Sequence, residues 1–147
     1  QTSRSLMSLA SIGLRTTAFT INQACCEIKA AASIRPRIYS VGVIQATGTA
    51  QSLGFGRPAA VGITPVPVLF QRYDPTDAAC VTSASLSFAT SPTAPTIYMN
   101  RWNSAATIGV GVLWSFPNGI ELNVSSAFTI HNITTAVASD VNILIDE

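Results

Sequence analysis

The segment IGVGVLWSF, residues 108–116, carries an apolar side chain at every second position. Ile108, Val110, Val112, Trp114 and Phe116 alternate with Gly109, Gly111, Leu113 and Ser115. A period of two is the repeat of a β-strand, whose successive side chains leave opposite faces; a helix repeats at about 3.6. The same repeat recurs along the chain. In RIYSVGVIQ (37–45), Tyr39, Val41 and Val43 share one face, and Ile38, Gly42 and Ile44 take the other. In VNILID (141–146), Val141, Ile143 and Ile145 oppose Asn142, Leu144 and Asp146. In ACCEIKA (24–30), Ala24, Cys26, Ile28 and Ala30 are expected inward, with Cys25, Glu27 and Lys29 outward. Further strands are expected over Leu14–Ile21, Pro67–Tyr73, Cys80–Phe88, Thr96–Trp102 and Ser126–Ile133.

Turn chemistry separates these runs: Asn22, Ser33–Pro36, Asp74–Asp77, Ser91–Pro95 and Pro117–Gly119. Asn118-Gly119 is a hairpin signal, because both residues tolerate positive φ. Strands about ten residues apart with short turns predict an all-β antiparallel sandwich or barrel. No long helical pattern competes, although GRPAAVG (56–62) has room for one turn. The first dozen residues do not alternate cleanly, and an N-terminal arm over residues 1–13 is expected before a single domain over residues 14–147. A first strand is the other reading of this segment.

The glycine pair of SLGFGRPAAVGITPVP (52–67) raises the question of a phosphate-binding loop. Such a loop needs a third glycine and a helix opening behind it. Ala59 stands in the third position, and Pro58, Pro65 and Pro67 oppose a long helix. The stretch is therefore expected to be a bend or crossing between strands, its glycines permitting turns or close approach.

Composition narrows the function classes. Charged residues make up 10% of the 147, and apolar residues 48%. An ordinary soluble domain carries roughly 25% charge and uses it for solubility and for protecting strand edges. This exterior is expected to be covered by something. Net charge is +1, and no basic run exists to suit nucleic acid. No continuous apolar segment predicts a membrane helix, and two aromatic girdles for a membrane barrel are lacking.

Acid–base and metal chemistry have few carriers. His131 is the one histidine, and a lone strand histidine is expected to be structural. Asp74 and Asp77 in YDPTDAAC read as a turn rather than a calcium loop. Of the three cysteines, Cys25 and Cys26 would face opposite sides of a strand, leaving one thiol buried and one exposed. They and Cys80 are expected to be reduced. No nucleophile elbow is present. No catalytic, cofactor or metal residues are assigned, and a non-enzyme is expected. Trp114 is expected in the core. Tyr98 and Trp102 are the aromatics considered for glycan stacking. Seven of the eight basic residues are arginine, which suits fixed subunit contacts through bidentate pairing. Arg35, Arg37, Arg57, Arg72 and Arg101, with Trp102, form the candidate interface.

The succession RPRIYSVGV, SLGFGRPAAVGITP, DPTDAAC, ATSPTAPTIYMNRWNSAATIGVGVLWSFPNGIELNVSSAFTIHN and VNILIDE resembles small β-sandwich virion proteins of tailed bacteriophages, across Leu14 to Glu147. The most specific pieces are LGFGRPAAVGITP and ATIGVGVLWSFPNGIEL. The resemblance implies a jelly-roll-like sandwich serving as a capsid decoration or cement subunit. It also implies a homotrimer on the virion surface, bound to the major capsid protein and made in the bacterial host cytoplasm. Related sandwiches in tails, connectors and fibres supply the alternative, including a glycan-binding module. The resemblance carries over no catalytic residues.

Overall fold

A computed structural model describes residues 8–17, 23–134 and 137–147. These residues form eleven strands: β1 (Leu9–Arg15), β2 (Ala24–Lys29), β3 (Arg37–Gln45), β4 (Ser52–Gly56), β5 (Pro67–Leu69), β6 (Gln71–Arg72), β7 (Ser83–Ser85), β8 (Asn100–Asn103), β9 (Gly111–Glu121), β10 (Ala127–Asn132) and β11 (Ser139–Asp146). No helix occurs among the described residues. Two sheets form, β6-β1-β11-β3-β9 and β5-β7-β2-β10-β4-β8, with every pairing antiparallel. They pack face to face as an antiparallel β-sandwich.

The interior follows from the alternation. Val141, Ile143 and Ile145 of β11 are buried, as are Val41 and Val43 of β3 and Trp114 of β9. Cys26, Ile28, Leu53, Phe55, Phe128 and Ile130 meet them from the second sheet. Phe55 is the hub: its ring lies 5.0 Å from Phe128 and 5.7 Å from both Trp114 and Phe116. Offset aromatic contacts of this kind add to the gain from area burial alone.

Several expectations require correction. Leu9–Gly13, assigned to an arm, belongs to β1, an internal strand between β6 and β11; residues 1–7 lie outside the described residues, as do Asn22 and most of the expected extension of this strand to Ile21. Ile38 faces the core, not the side opposite Val41, because Tyr39 is an extra residue against β11, where Ser40 pairs with Leu144 and Ile38 with Ile145. Pro117–Gly119 does not reverse the chain. It belongs to a bulge of β9, where Phe116–Gly119 stand opposite Tyr39 inside a continuous strand, with Gly119 at φ 73°. Ile108 lies outside β9 and is exposed.

The expected strand Pro67–Tyr73 is split at the buried Phe70. Its first half joins the second sheet as β5, and its second half joins the first sheet as β6. Ser52–Gly56 is not a bend but a strand, β4, between β10 and β8. The expected strands Cys80–Phe88 and Thr96–Trp102 shorten to β7 and β8.

Candidate interaction surface

The two outer faces of the sandwich differ. On the second sheet, loops close over the strands. Ala60 bridges Thr93, and Ile63 bridges Thr90. The glycines of SLGFG make this cover fit. A Cβ on Gly54 would stand 2.4 Å from Tyr98 Cδ1, and one on Gly56 3.2 Å from Pro95 Cγ. A Cβ on Gly62, in the cover itself, would stand 2.4 Å from Phe88 Cδ1. Neither Gly54 nor Gly56 has positive φ; they serve close approach rather than a turn.

Beneath the cover lies a buried polar group. Glu27 is fully buried, against the expectation that it faces solvent. Its Oε2 accepts the Gly62 N–H at 2.8 Å, and its Oε1 has no hydrogen-bond partner among the described residues. His131 is also fully buried. Its Nε2 donates to the Pro92 carbonyl at 3.1 Å, so the neutral ring's Nδ1 accepts from Thr129 Oγ1 at 2.7 Å. Burial holds this imidazole below its ordinary pKa. The ring is a structural link between β10 and the cover.

Cys25 and Cys26 are both buried, which corrects the split expected for them: the cover makes the outward side of β2 as dry as the inward side. All three cysteines are free thiols. Burial pushes Cys25 up to about 12 and raises Cys26 and Cys80 as well. These thiols are therefore poor nucleophiles. Among the described residues, no group of three His, Cys, Asp or Glu side chains could hold a metal ion. Asp74 closes its turn as read from the sequence, its Oδ1 accepting from Thr76 N at 2.9 Å and from Thr76 Oγ1 at 2.7 Å.

Among the described residues, the first sheet carries no such cover. Its outer face holds an open groove of about 620 Å³. The register explains its shape. Gly13, Asn142, Gly42 and Leu113 form one row across β1, β11, β3 and β9, and Ser11, Leu144, Ser40 and Ser115 form the next. Small residues floor the groove on both sides of the β11 ridge. Tyr73 and Leu113 stand at its borders, 60% and 68% exposed. Alternation placed Gly42, Leu113, Ser115, Asn142 and Leu144 opposite the core, whereas Ser11 and Gly13 fell in the expected arm. Their lack of charge was the signal that this outward face is not an ordinary solvent face.

The arginines separate into distinct settings. Arg35 and Arg37 both reach Glu121 Oε1, at 3.4 and 3.9 Å, and Arg57 donates to the Glu121 carbonyl at 3.2 Å. Arg57 also lies over the Phe128 ring, 4.3 Å from its centroid. These three thus form one exposed cluster around Glu121, Arg35 and Arg37 at its carboxylate and Arg57 at its main-chain carbonyl. Arg72 is engaged within the chain. It donates to the carbonyls of Ala78, Ser8 and Glu147 and pairs with the buried Glu147 carboxylate at 3.4 Å. Arg101 stands apart on β8, 5.8 Å from the Tyr98 ring centroid. Trp102 is half-buried and packs on the core. The six candidates do not meet in one site.

No protein family, curated protein or solved structure matches this chain.

Proposed function

We propose that the protein is a structural, non-enzymatic subunit of a phage particle, a decoration or cement subunit on the capsid exterior. The strand order carries this reading. With the three short strands β5–β7 set aside, the eight remaining strands follow 1-8-3-6 in one sheet and 2-7-4-5 in the other. We read that order as a jelly roll, an architecture shared by viral capsid and lectin domains. A fold of this kind supports a function only by analogy, so the surface must agree with it. It does: Ile44, Tyr73 and Leu113 on the first sheet, and Ile63, Val66 and Leu69 on the second side, leave apolar area to be covered.

The mechanism is accumulation of weak contacts. A subunit that binds only the assembled shell stabilises it by linkage. Repetition over a symmetric lattice supplies avidity without tight binding of any one copy. The major capsid protein is the partner, and the arginine cluster around Glu121 suits pairing with its carboxylates. Self-association adds further valency. Quantitative mass spectrometry of purified particles tests the location. The proposal expects a copy number that scales with the shell subunit, whereas a count fixed at tail-like stoichiometry would exclude the shell. A second reading, a glycan-binding fibre module, draws on Tyr73, Asn142, Ser11 and Ser40 lining one groove. Saturable glycan-array binding lost in Tyr73→Ala would favour it.

A further inference from the structure

Each sheet of an open sandwich has two edges, and here three of the four are blunted. The β6 edge is two residues long; the β5 edge is three residues long and begins at Pro67. The β8 edge is four residues long and carries Arg101. Short strands, prolines and charges are the usual guards against edge pairing. The β9 edge is eleven residues long; it ends in Pro117, a bulge and Glu121, but its regular part, Gly111–Ser115, pairs evenly with β3 and carries neither charge nor proline.

The register identifies which backbone groups face outward. Gln45 N–H donates to the Val110 carbonyl, and the pairing continues through Ile44↔Gly111, Val43↔Val112, Gly42↔Leu113 and Ser40↔Ser115. In an antiparallel ladder, hydrogen-bonded and non-bonded pairs alternate. Val112 and Trp114 therefore bond to β3, while the N–H and C=O groups of Gly111, Leu113 and Ser115 point away from the sheet. Two features bound this open window. Gly109, at φ 87°, turns the chain away on one side, and Pro117, without an N–H, opens the bulge on the other. Each lies four positions from Leu113. The window is thus symmetric about its own centre.

We propose that β9 pairs with β9 of a second copy across a two-fold axis at Leu113, joining the two first sheets into one. Leu113 would pair with its own counterpart, and each Gly111 with the partner's Ser115. These are the outward-facing positions, so each residue satisfies both backbone groups. Neither pair brings bulk or charge into conflict. On the inner face, each Val112 would meet the partner's Trp114, an aromatic–β-branched pair of the favourable cross-strand kind. A contact of this type is isologous and closes at two copies. It goes beyond the virion reading and does not depend on it.

Sedimentation equilibrium of the full chain over a concentration series tests the proposal, with amide exchange as the local readout. A monomer–dimer equilibrium is expected, with the amides of Gly111, Leu113 and Ser115 slowing as dimer forms. Leu113→Lys changes an exposed side chain, so folding should persist, but it sets like charges across the axis and should weaken the dimer by roughly tenfold or more. Ser115→Pro removes an N–H that makes no bond to β3 and should abolish pairing. Leu69→Lys, on the β5 edge, should leave the dimer constant unchanged. A chain that stays monomeric, one that forms only trimers, or a dimer insensitive to both β9 variants would overturn the proposal.

Discussion

Strands β11 and β2 have similar apolar content but opposite relations to solvent. Along β11, buried and accessible residues alternate from Ser139 to Asp146, and Asn142 is exposed. Along β2, every residue from Ala24 to Ile28 is buried, Glu27 included. The inward sides of both strands meet the same core. The difference lies on the far side, where β11 faces an open groove and β2 lies beneath a sealed cover. Among the described residues, one outer face is therefore open to solvent, while the strands of the other are closed over by the chain's own loops.

Removing the shared interior is expected to have the largest effect. Phe55→Ala takes away the ring that Trp114, Phe116 and Phe128 pack against and should cost about 3–5 kcal/mol, read as a lower urea midpoint. Trp114→Ala should fall in the same range. A normal melt for either variant would mean that the two faces do not share the core described here.

Alanine at the glycines sharpens the contrast between faces. Gly62→Ala and Gly54→Ala would drive a Cβ into the Phe88 and Tyr98 rings and should each cost about 1–3 kcal/mol. Gly42→Ala, on the open face, meets Leu113 Cδ1 at an ordinary 3.6 Å and should change stability by less than about 0.5 kcal/mol. Equal effects at the three sites would erase the distinction.

The acid limb should follow the covered face. His131 is held neutral by burial, so its folded pKa lies below the unfolded value of about 6.5. Unfolding takes up a proton below that pH; stability is then full above it and declines as pH falls toward the folded pKa. His131→Asn should flatten the pH dependence of thermal melts below about pH 6.5. Asp140, held low by its hydrogen bond from Arg15, and Asp74, held low by the Thr76 N–H, titrate further down and should not obscure this limb. The smallest effect belongs to the open face itself: Asn142→Ser should leave the melt within about 0.5 kcal/mol.

The same contrast explains what the sequence made legible. Alternation reports whether one side of a strand meets a core, so β11, Val41 and Val43, and the placement of Trp114 were readable. It is silent on whether a later loop seals the other side, and this is why Cys25 and Glu27 were assigned to solvent. Alternation misplaces Ile38 because one bulged residue, Tyr39, exchanges the faces before it. Asn118-Gly119 carries the local chemistry of a hairpin, yet the pairing of Ile120 and Glu121 with β3 keeps the chain in one strand, and the turn chemistry serves a bulge opposite Tyr39 instead. Strand order depends on pairings such as Leu9 with Asp146, which no local pattern encodes. The groove was half visible, since Gly42 and Gly111 sit opposite apolar positions where charge is customary. The arginines were visible as a class, but only the fold reveals that Arg72 is spent internally while Arg35, Arg37 and Arg57 gather at Glu121.

Hydroxyl-radical footprinting of the free chain and of the chain on purified phage particles tests the central claim most directly. If the uncovered sheet is the docking face, Ile44, Tyr73 and Leu113 will be oxidised in the free chain and shielded on the particle, with Phe88 and Tyr98 labelled equally in both states. Equal labelling of Ile44, Tyr73 and Leu113 in the two states would contradict the account.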